Sequence, residues 1–360
     1  MTNQPITRRR TLALTGGIAT TTLAGCLGGD DRSSDAFAYV TNTADGTVSV
    51  IDQRERSVVD TVDVADRTSH GIGAHFDGDK LYVSDAGDGH IYVVSTSDFE
   101  ISETIDVGMH VHGLDVTPNG RQLYVSGDHS EDDGYGEGDD HDHDHDQEDD
   151  HEGIGGEGEL AVIDTEDYDV LDRIETEGSG HTYFGSEDRA YTTMYHLGER
   201  HQNTNTFGVI DREQLTMPMT VPVGDDVVNV MAMVKEDDVV YCGSRMANSV
   251  SVIDTERWAE EQRFSTGAKT HGLAVSPDGE HLWTANRGSN DVKVIDRETG
   301  EIVETIESGG DNHLSFSPDT HEVYVTSVAS NEVIVIDSEM YGIEERIDVG
   351  SQPHELVFGT

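Results

Sequence analysis

The fold is decided by residues 271–306, which read HGLAVSPDGEHLWTANRGSNDVKVIDRETGEIVETI. Four short runs in this stretch, HGLAV, LWTAN, VKVID and IVETI, are rich in β-branched residues or alternate between apolar and polar ones. That pattern, bounded by turn residues, is typical of β-strands. The Pro277-Asp278-Gly279 sequence predicts a tight turn between the first two runs. The stretch therefore predicts a unit of four short consecutive strands.

An Ile-Asp pair closes the third run and recurs about every 42 residues, with one longer interval. Counting one degenerate copy, Val94-Ser95, the unit occurs seven times. Seven four-stranded units predict an all-β, seven-bladed propeller, in which radial repetition protects the sheet edges. The copies of the pair begin at Ile51, Val94, Ile163, Ile210, Ile253, Ile295 and Ile336.

The two ends of the repeat region complement each other. The region opens in the middle of a unit at residues 38–42 and finishes at residues 354–358 with a first strand that has no successors. We expect these terminal strands to pair in one shared blade and to close the ring. An open solenoid is the alternative, but its ends would expose unpaired strand edges.

The repeat motifs resemble those of a known family. Tyr39-Val40-Thr41-Asn42, the Ser-Pro-Asp-Gly turn at residues 276–279 and the Val-Ile-Asp anchors are similar to the YVTN family of β-propeller repeats. The resemblance covers residues 37–360 apart from one insertion, and it implies the seven-bladed fold. It implies little about activity, because propellers support many unrelated functions.

The N-terminus has the pattern of an export signal. Paired arginines precede a weakly apolar run, residues 12–24, which is too short to span a membrane. Residues 1–25 are therefore predicted to form a twin-arginine signal peptide. The Leu-Ala-Gly-Cys sequence resembles a lipoprotein processing box, so Cys26 is predicted to carry a lipid anchor and residues 26–36 to form a tether. The pattern is similar to twin-arginine lipoproteins of haloarchaeal type and predicts a location on the outer face of the cytoplasmic membrane.

The formal net charge of the chain is −51, from 73 acidic and 22 basic residues. Such a charge repels nucleic acid and anionic lipid headgroups, so no nucleic-acid partner is expected. Because the acidic residues are spread along the whole chain, we interpret them as an adaptation to molar salt rather than as a device that repels acidic substrates. If Cys26 is lipidated, Cys242 stands alone and an intramolecular disulfide is excluded.

One position of the repeat is occupied by histidine in six of seven units. It lies at the start of the first strand of each unit, and the seventh occupant is Asn229. Because first strands line the channel of a propeller, these imidazoles are expected to form a ring at one channel mouth. The six residues are His70, His112, His181, His271, His313 and His354.

The ring predicts a metal site. Clustered neutral imidazoles offer several donors to one ion. Because a Zn–N bond is about 2.0–2.1 Å long, one ion would take two or three neighbouring histidines rather than all six. Asp115 and Asp311 are candidate carboxylate partners. The alternative interpretation is structural, with each imidazole bracing neighbouring blades through hydrogen bonds.

The long interval in the repeat is an insertion at about residues 128–158, between the second and third strands of one unit. It is acidic, of low complexity and nearly free of apolar residues, which predicts disorder. Its alternating His-Asp core is typical of a metal-collecting tract, although a salt-solvated loop is the alternative. The topology places it on the same face as the ring. The candidate ligands in it are His141, His143, His145 and His151.

Together these features predict an extracytoplasmic metal-binding protein or metallochaperone. The loop would capture a divalent ion, the ring would take it over, and a membrane transporter would receive it. This combination resembles the propeller-type periplasmic zinc metallochaperones of ABC zinc import systems. The resemblance implies Zn²⁺ as the ion, and an ABC metal transporter or its solute-binding protein as the partner. Cu²⁺ is the alternative ion, because N/O/S sites generally bind Cu²⁺ more tightly than Zn²⁺.

Two other classes remain open. A lactonase-like or quinoprotein-like enzyme could use Arg245 and Arg287, which follow second strands on the histidine face, to hold an anionic substrate. No residue stands out as catalytic. A cell-surface interaction scaffold would use the propeller as a frame and would have no metal function.

Overall fold

The computed structural model describes most of the repeat region. All described residues belong to the compact unit Ser33–Thr360. The described ranges are 37–65, 68–74, 78–85, 89–129, 158–178, 180–184, 188–194, 206–223, 230–236, 238–244, 246–309 and 312–359.

Seven antiparallel sheets of four strands each make up the described structure. In chain order the strands are β1 Phe37–Asn42, β2 Thr47–Asp52, β3 Ser57–Asp63, β4 Thr68–Ala74, β5 Lys80–Asp85, β6 His90–Ser95, β7 Ile101–Asp106, β8 His110–Val116, β9 Gln122–Asp128, β10 Gly158–Asp164, β11 Val170–Thr176, β12 Thr182–Phe184, β13 Arg189–Thr193, β14 Thr206–Asp211, β15 Thr216–Pro222, β16 Val230–Glu236, β17 Val239–Ser244, β18 Ser249–Asp254, β19 Ala259–Ser265, β20 Thr270–Val275, β21 His281–Asn286, β22 Asp291–Asp296, β23 Ile302–Ile306, β24 Leu314–Phe316, β25 Glu322–Ser327, β26 Glu332–Asp337, β27 Ile343–Asp348 and β28 Pro353–Phe358. Six sheets contain four consecutive strands, whereas the seventh has the order β28-β1-β2-β3.

The sheets are arranged as the blades of a closed ring. The first strand of each blade contacts the first strands of both neighbouring blades, in the order β28, β4, β8, β12, β16, β20, β24 and back to β28. These seven strands surround the channel. The predicted seven-bladed propeller is therefore confirmed.

The chain termini close the ring in the shared blade. Strand β28 pairs antiparallel with β1, with Tyr39 opposite Val357 and Val40 opposite Leu356. Phe358 then packs edge to face on Tyr324 of the neighbouring blade, with 5.2 Å between the ring centroids. The predicted pairing of the N- and C-terminal strands is thus confirmed.

The Ile-Asp anchors end the third strand of their blades, as the repeat predicts. In β2, Ile51 is fully buried. The neighbouring Asp52 accepts hydrogen bonds from the backbone N–H groups of Arg54 at 2.8 Å and Glu55 at 2.9 Å. Such an Asx turn stabilises the reversal into the fourth strand. Arg56 completes the turn in the left-handed region, with φ at 49°.

The inserted segment joins β9 to β10. The strands themselves include Asp128 and Gly158, which pair with each other, so the insertion proper is residues 129–157. Its predicted metal ligands and Cys26 lie outside the described residues, and the predictions for the loop, signal peptide and lipid anchor stay predictions. Within the described ranges, no helix has the length and apolar character needed to cross a membrane.

Candidate metal centre

Channel histidines sit where the strand pairing is irregular. The register between β8 and β9 shifts between Val111 and Gly113, which leaves His112 as the extra residue. The same shift occurs between Thr270 and Gly272 in β20, around His271. A β-bulge of this kind turns the extra side chain away from the regular alternation. The bulge explains how one residue of a pleated strand can point into the channel.

Glycine follows several of these histidines because neighbouring blades approach closely there. A Cβ on Gly272 would lie 2.7 Å from the carbonyl oxygen of Asn312 and 3.0 Å from the Cα of His313. A Cβ on Gly113 would lie 3.2 Å from Nδ1 of His181. The His-Gly sequence therefore allows the first strands of adjacent blades to converge at the level of the imidazoles.

Buried hydroxyl groups hold the backbone at the same level. Thr326 Oγ1 accepts a hydrogen bond from the N–H of His313 at 3.1 Å and donates one to the carbonyl oxygen of His354 at 2.6 Å. Thr193 Oγ1 accepts from the N–H of His181 at 2.8 Å. These threonines lie on the second strands of their blades. They fix the backbone from which the imidazoles project.

Three imidazoles from consecutive blades form a compact group. The ring centroids of His313 and His354 are 4.6 Å apart, those of His271 and His313 are 4.9 Å apart, and those of His271 and His354 are 5.5 Å apart. One nitrogen from each lies within 4.8 Å of the others. His271 and His354 are each only 4% exposed. This group has the composition of a three-nitrogen metal site.

His181 reaches this group from the far side of the channel. Its ring stacks at 8° to that of His354 with 6.4 Å between centroids, and lies 5.8 Å from that of His313. His112 contacts His181 edge to face at 5.2 Å. The blades of His181 and His354 are not neighbours in the ring. The five described imidazoles therefore form one cluster across the channel mouth rather than an open ring.

Glu355 adds a carboxylate that was not predicted from the sequence. Its Oε1 lies 3.0 Å from Nδ1 of His181, and its Oε2 accepts a hydrogen bond from the N–H of Ile72 at 3.2 Å. The signal was present in the repeat, because the residue after the channel histidine is glycine in three units and glutamate only here. A second candidate set of ligands results, His181, His313 and Glu355, again within 4.8 Å of one another.

Burial keeps two of the imidazoles neutral. It lowers the pKa of His313 to about 4, while the nearby Glu355 opposes this shift and His181 and Arg287 add to it. Burial, assisted by His181, lowers the pKa of His112 to about 3. Neutral imidazole is the form that binds a metal ion. At neutral pH these side chains are therefore ready to act as ligands.

Asp115, a predicted carboxylate partner, also lies in the channel. Burial and the charge of Glu355 raise the pKa of Asp115 to about 8. Its Oδ1 accepts a hydrogen bond from the N–H of Val116 at 2.8 Å. Two carboxyl groups thus lie close to the imidazole cluster, further along the first strands than the histidines.

The remaining predicted residues divide into two groups. Arg287 is near enough to the cluster to affect His313, as its place on the histidine face predicts. His70 lies in β4, but its side chain is outside what the structure describes. Asn229, Arg245 and Asp311 also fall outside the described ranges.

Two solved structures share the architecture. Hydrazine synthase of Kuenenia stuttgartiensis is 19% identical with a TM-score of 0.69, over 89% of this chain and 99% of that chain. Dihydro-heme d1 dehydrogenase NirN in complex with DHE is 14% identical with a TM-score of 0.61, over 91% of this chain and 76% of that chain. At these identities the likeness concerns the fold alone. The chain is a seven-bladed β-propeller whose channel mouth is filled by histidines. No protein-family profile and no curated protein matches the sequence.

Proposed function

We propose that this protein binds a divalent transition metal ion at the mouth of its channel, with Zn²⁺ as the first candidate. On the outer side of the cytoplasmic membrane, it delivers this ion to a membrane transporter. The observation that carries the proposal is the group His271, His313 and His354, whose nitrogens lie within 4.8 Å of one another. Zinc prefers such nitrogen ligands in a tetrahedral arrangement.

The group needs little rearrangement to take an ion. With Zn–N bonds of 2.0–2.1 Å, tetrahedral ligand atoms lie about 3.3 Å apart, so the imidazole nitrogens must approach one another by up to about 1.5 Å. Rotation of the imidazole rings about their side-chain bonds would contribute to this movement. Three protein ligands leave a fourth position open for water or for a ligand of another molecule. An open position suits a carrier, because release proceeds by exchange of ligands.

A purely structural role accounts poorly for this cluster. Bracing between blades requires a partner for each imidazole, and Glu355 provides one for His181. The Nε2 atom of His313 is buried and has no hydrogen-bond partner among the described residues. Burying such an atom without a partner costs about 1–3 kcal/mol. A metal ion bound there would offset that cost.

The His-Asp tract of the insertion supports the role of a carrier. The insertion connects the end of β9 to the start of β10. These strand ends lie at the same face of the propeller as the start of the first strand, because Asp128 pairs with His110. We propose that His141, His143, His145 and His151 collect the ion and raise its local concentration at the mouth. The partner that accepts the ion is an ABC metal transporter or its solute-binding protein, and the predicted lipid anchor at Cys26 would keep the carrier near that partner.

The test is zinc titration by calorimetry of the full, chelator-treated chain in molar salt. Three variants are compared with the wild type. They are the cluster variant His271→Ala/His313→Ala/His354→Ala, the loop variant with alanine at the four loop histidines, and a control, His321→Ala, whose side chain is 81% exposed.

We expect tight zinc binding in the wild type, the loop variant and the control, and its loss in the cluster variant. Stopped-flow measurement should show slower uptake in the loop variant. If the cluster variant keeps the wild-type affinity, the histidines are structural and the carrier mechanism is wrong. The same conclusion follows if the wild type binds neither Zn²⁺ nor Cu²⁺ below micromolar concentration, and an interaction scaffold then becomes the preferred interpretation.

A propeller enzyme is the second candidate, and one observation favours it. The His181–Glu355 pair lies beside Asp115, whose pKa is raised to about 8 by burial and by Glu355. An imidazole paired with a carboxylate, beside a second carboxyl group whose pKa is raised, is typical of acid–base catalysis. Arg287 could hold an anionic substrate nearby. Lactone hydrolysis that persists in chelator and disappears in Glu355→Gln would favour this candidate over the carrier.

A further inference from the structure

We infer that the channel holds a second metal position, built by His181, His313 and Glu355, which shares His313 with the position built by His271, His313 and His354. The shared ligand lets one ion pass from the first position to the second by exchange of ligands. This inference rests on the proposed metal function and defines how the ion would move within the channel.

The geometry of the second set is as close as that of the first. One ligand atom from each of His181, His313 and Glu355 lies within 4.8 Å of the other two. The carboxylate is already oriented, because its Oε2 accepts a hydrogen bond from Ile72 while its Oε1 lies 3.0 Å from the imidazole of His181. Two imidazoles and one carboxylate are a ligand set that zinc sites use.

His313 occupies the central place between the two sets. Its ring lies 4.9 Å from that of His271, 4.6 Å from that of His354 and 5.8 Å from that of His181. Thr326 holds its backbone through the bond from the N–H of His313. The buried Nε2, which lacks a hydrogen-bond partner among the described residues, leaves the ring with a nitrogen available for an ion.

One neutral imidazole nitrogen donates to one ion at a time. An ion that leaves His271 and His354 can remain attached to His313 while it gains His181 and Glu355. The exchange is electrostatically downhill for a divalent cation, since a carboxylate replaces a neutral donor in a site of low dielectric constant. Glu355 follows His354 along β28, so one strand supplies a ligand to each position.

The experiment uses the full chain loaded with zinc, and also with Co²⁺ as a visible-absorption probe of the ligands. Three variants separate the positions: His271→Ala, which removes a ligand of the first only, and Glu355→Gln and His181→Gln, which remove ligands of the second only. His313→Ala removes the shared ligand. Circular dichroism and the unfolding midpoint of each metal-free variant report whether it is folded.

We expect His271→Ala to bind one ion whose zinc-edge anomalous peak in a crystal lies between His181, His313 and Glu355. In Glu355→Gln and His181→Gln the peak should move to His271, His313 and His354. The Co²⁺ spectrum should differ between the two groups of variants. Affinity should fall about 10- to 100-fold when either position is lost and by more than 1000-fold in His313→Ala, as expected when all coordination through the shared ligand is lost.

The inference is overturned if folded His271→Ala binds no metal. It is also overturned if adding Glu355→Gln or His181→Gln to the His271→Ala protein leaves its Co²⁺ spectrum unchanged. Either result would still leave the first position, and with it the proposed function, in place. A wild-type chain that binds no metal at all would instead remove both. The two failures are therefore distinguishable.

Discussion

The carboxylate of Glu355 and the imidazole of His181 meet across the propeller channel, with 3.0 Å between Oε1 and Nδ1. Glu355 lies in β28, and His181 directly precedes β12. The blades that contain these two strands are not neighbours in the ring. Glu355 also accepts the N–H of Ile72 from a third blade. One side chain thus links three blades at the level of the candidate metal centre.

Removal of this link should lower the stability of the metal-free protein. Glu355→Ala is expected to reduce the free energy of unfolding by about 1–3 kcal/mol, because it removes the carboxylate that accepts the N–H of Ile72 and pairs with the imidazole of His181. Denaturant unfolding in molar salt measures the change. Glu339→Ala is the control, since its pair with His321 is exposed on both sides and should contribute less than about 0.5 kcal/mol. Equal effects of the two substitutions would contradict the prediction.

The stability of the metal-free protein should also depend on the protonation of His112. Its folded pKa of about 3 lies below the unfolded value, so the unfolded chain binds more protons between those two pH values. The contribution of the neutral imidazole is therefore complete above pH 6.5 and is lost as the pH falls below it. As the pH falls through this window, the unfolding free energy of the wild type should decrease by about 1.4 kcal/mol per pH unit relative to that of His112→Gln.

The comparison between wild type and variant is needed because other groups titrate in the opposite sense. The raised pKa of Asp115 makes its contribution grow as the pH falls, and this effect largely cancels in the difference. Urea unfolding at pH 7.5, 6.5, 5.5 and 4.5 provides the data. His321→Gln, at a side chain that is 81% exposed, should leave the pH dependence unchanged. A flat difference for His112→Gln would mean that this imidazole is not held neutral by the fold.

Closure of the ring should depend on the packing of Phe358. This side chain is 8% exposed and lies edge to face on Tyr324 of the next blade. Phe358→Ala is expected to cost about 3–5 kcal/mol, the usual range for an aromatic residue removed from a core. Met340→Ala, at a side chain that is 79% exposed, is the matched apolar control and should change stability by less than about 0.5 kcal/mol. A loss below about 1 kcal/mol for Phe358→Ala would argue against ring closure as a major source of stability.

Thr326 should influence metal affinity without being a ligand. Its hydroxyl group forms hydrogen bonds with the backbone of both His313 and His354. Thr326→Val removes these bonds, so the backbone of two candidate ligands is held less firmly. We expect zinc affinity to fall about tenfold, as is usual when a group that orients a ligand is removed. Calorimetric titration measures it, with Thr61→Val on the exposed face of β3 as the control. Unchanged affinity in a folded Thr326→Val protein would show that the bonds are not needed for binding.

Bound metal should stabilise the folded chain. At a free zinc concentration 100 times Kd, the unfolding free energy should rise by about 2.7 kcal/mol, provided that the unfolded chain does not bind the ion. Chelator should reverse the shift, and His313→Ala should abolish it. A thermal melt followed by circular dichroism, with and without zinc, provides the measurement. An equal shift in wild type and His313→Ala would locate binding elsewhere, with the loop histidines as the first place to examine.

The blade pattern could be predicted because its determinants are local. The four runs of residues 271–306 each contain the alternation, the β-branched side chains and the turn residues that one strand and its reversal require. The Ile-Asp anchor is a clear example. Ile51 is buried in the sheet packing, and Asp52 makes its turn with the N–H of Arg54, two residues further along the chain. Because this unit repeats along the chain, the sequence also predicted the number of blades and the shared position of the channel histidines.

The contacts within the channel could not be predicted in the same way. Glu355 follows a channel histidine where glycine stands in other units, but nothing in the repeat states that its carboxylate reaches His181. From the sequence, ligands from neighbouring blades only were expected. The structure adds His181 from across the channel, because the channel at this level is narrow enough for its Nδ1 to lie 3.0 Å from Oε1 of Glu355.

By itself, then, the sequence determined the all-β repeat, the seven blades, the shared closing blade and the common level of the histidines. These properties follow from periodic patterns of a few residues, in which local backbone preference and burial agree. Only the tertiary structure decided which histidines meet, that Glu355 joins them, and that burial lowers the pKa of His112 and His313. Distances across the channel and the loss of solvent around an imidazole depend on all seven blades at once, and no local pattern in the chain records them.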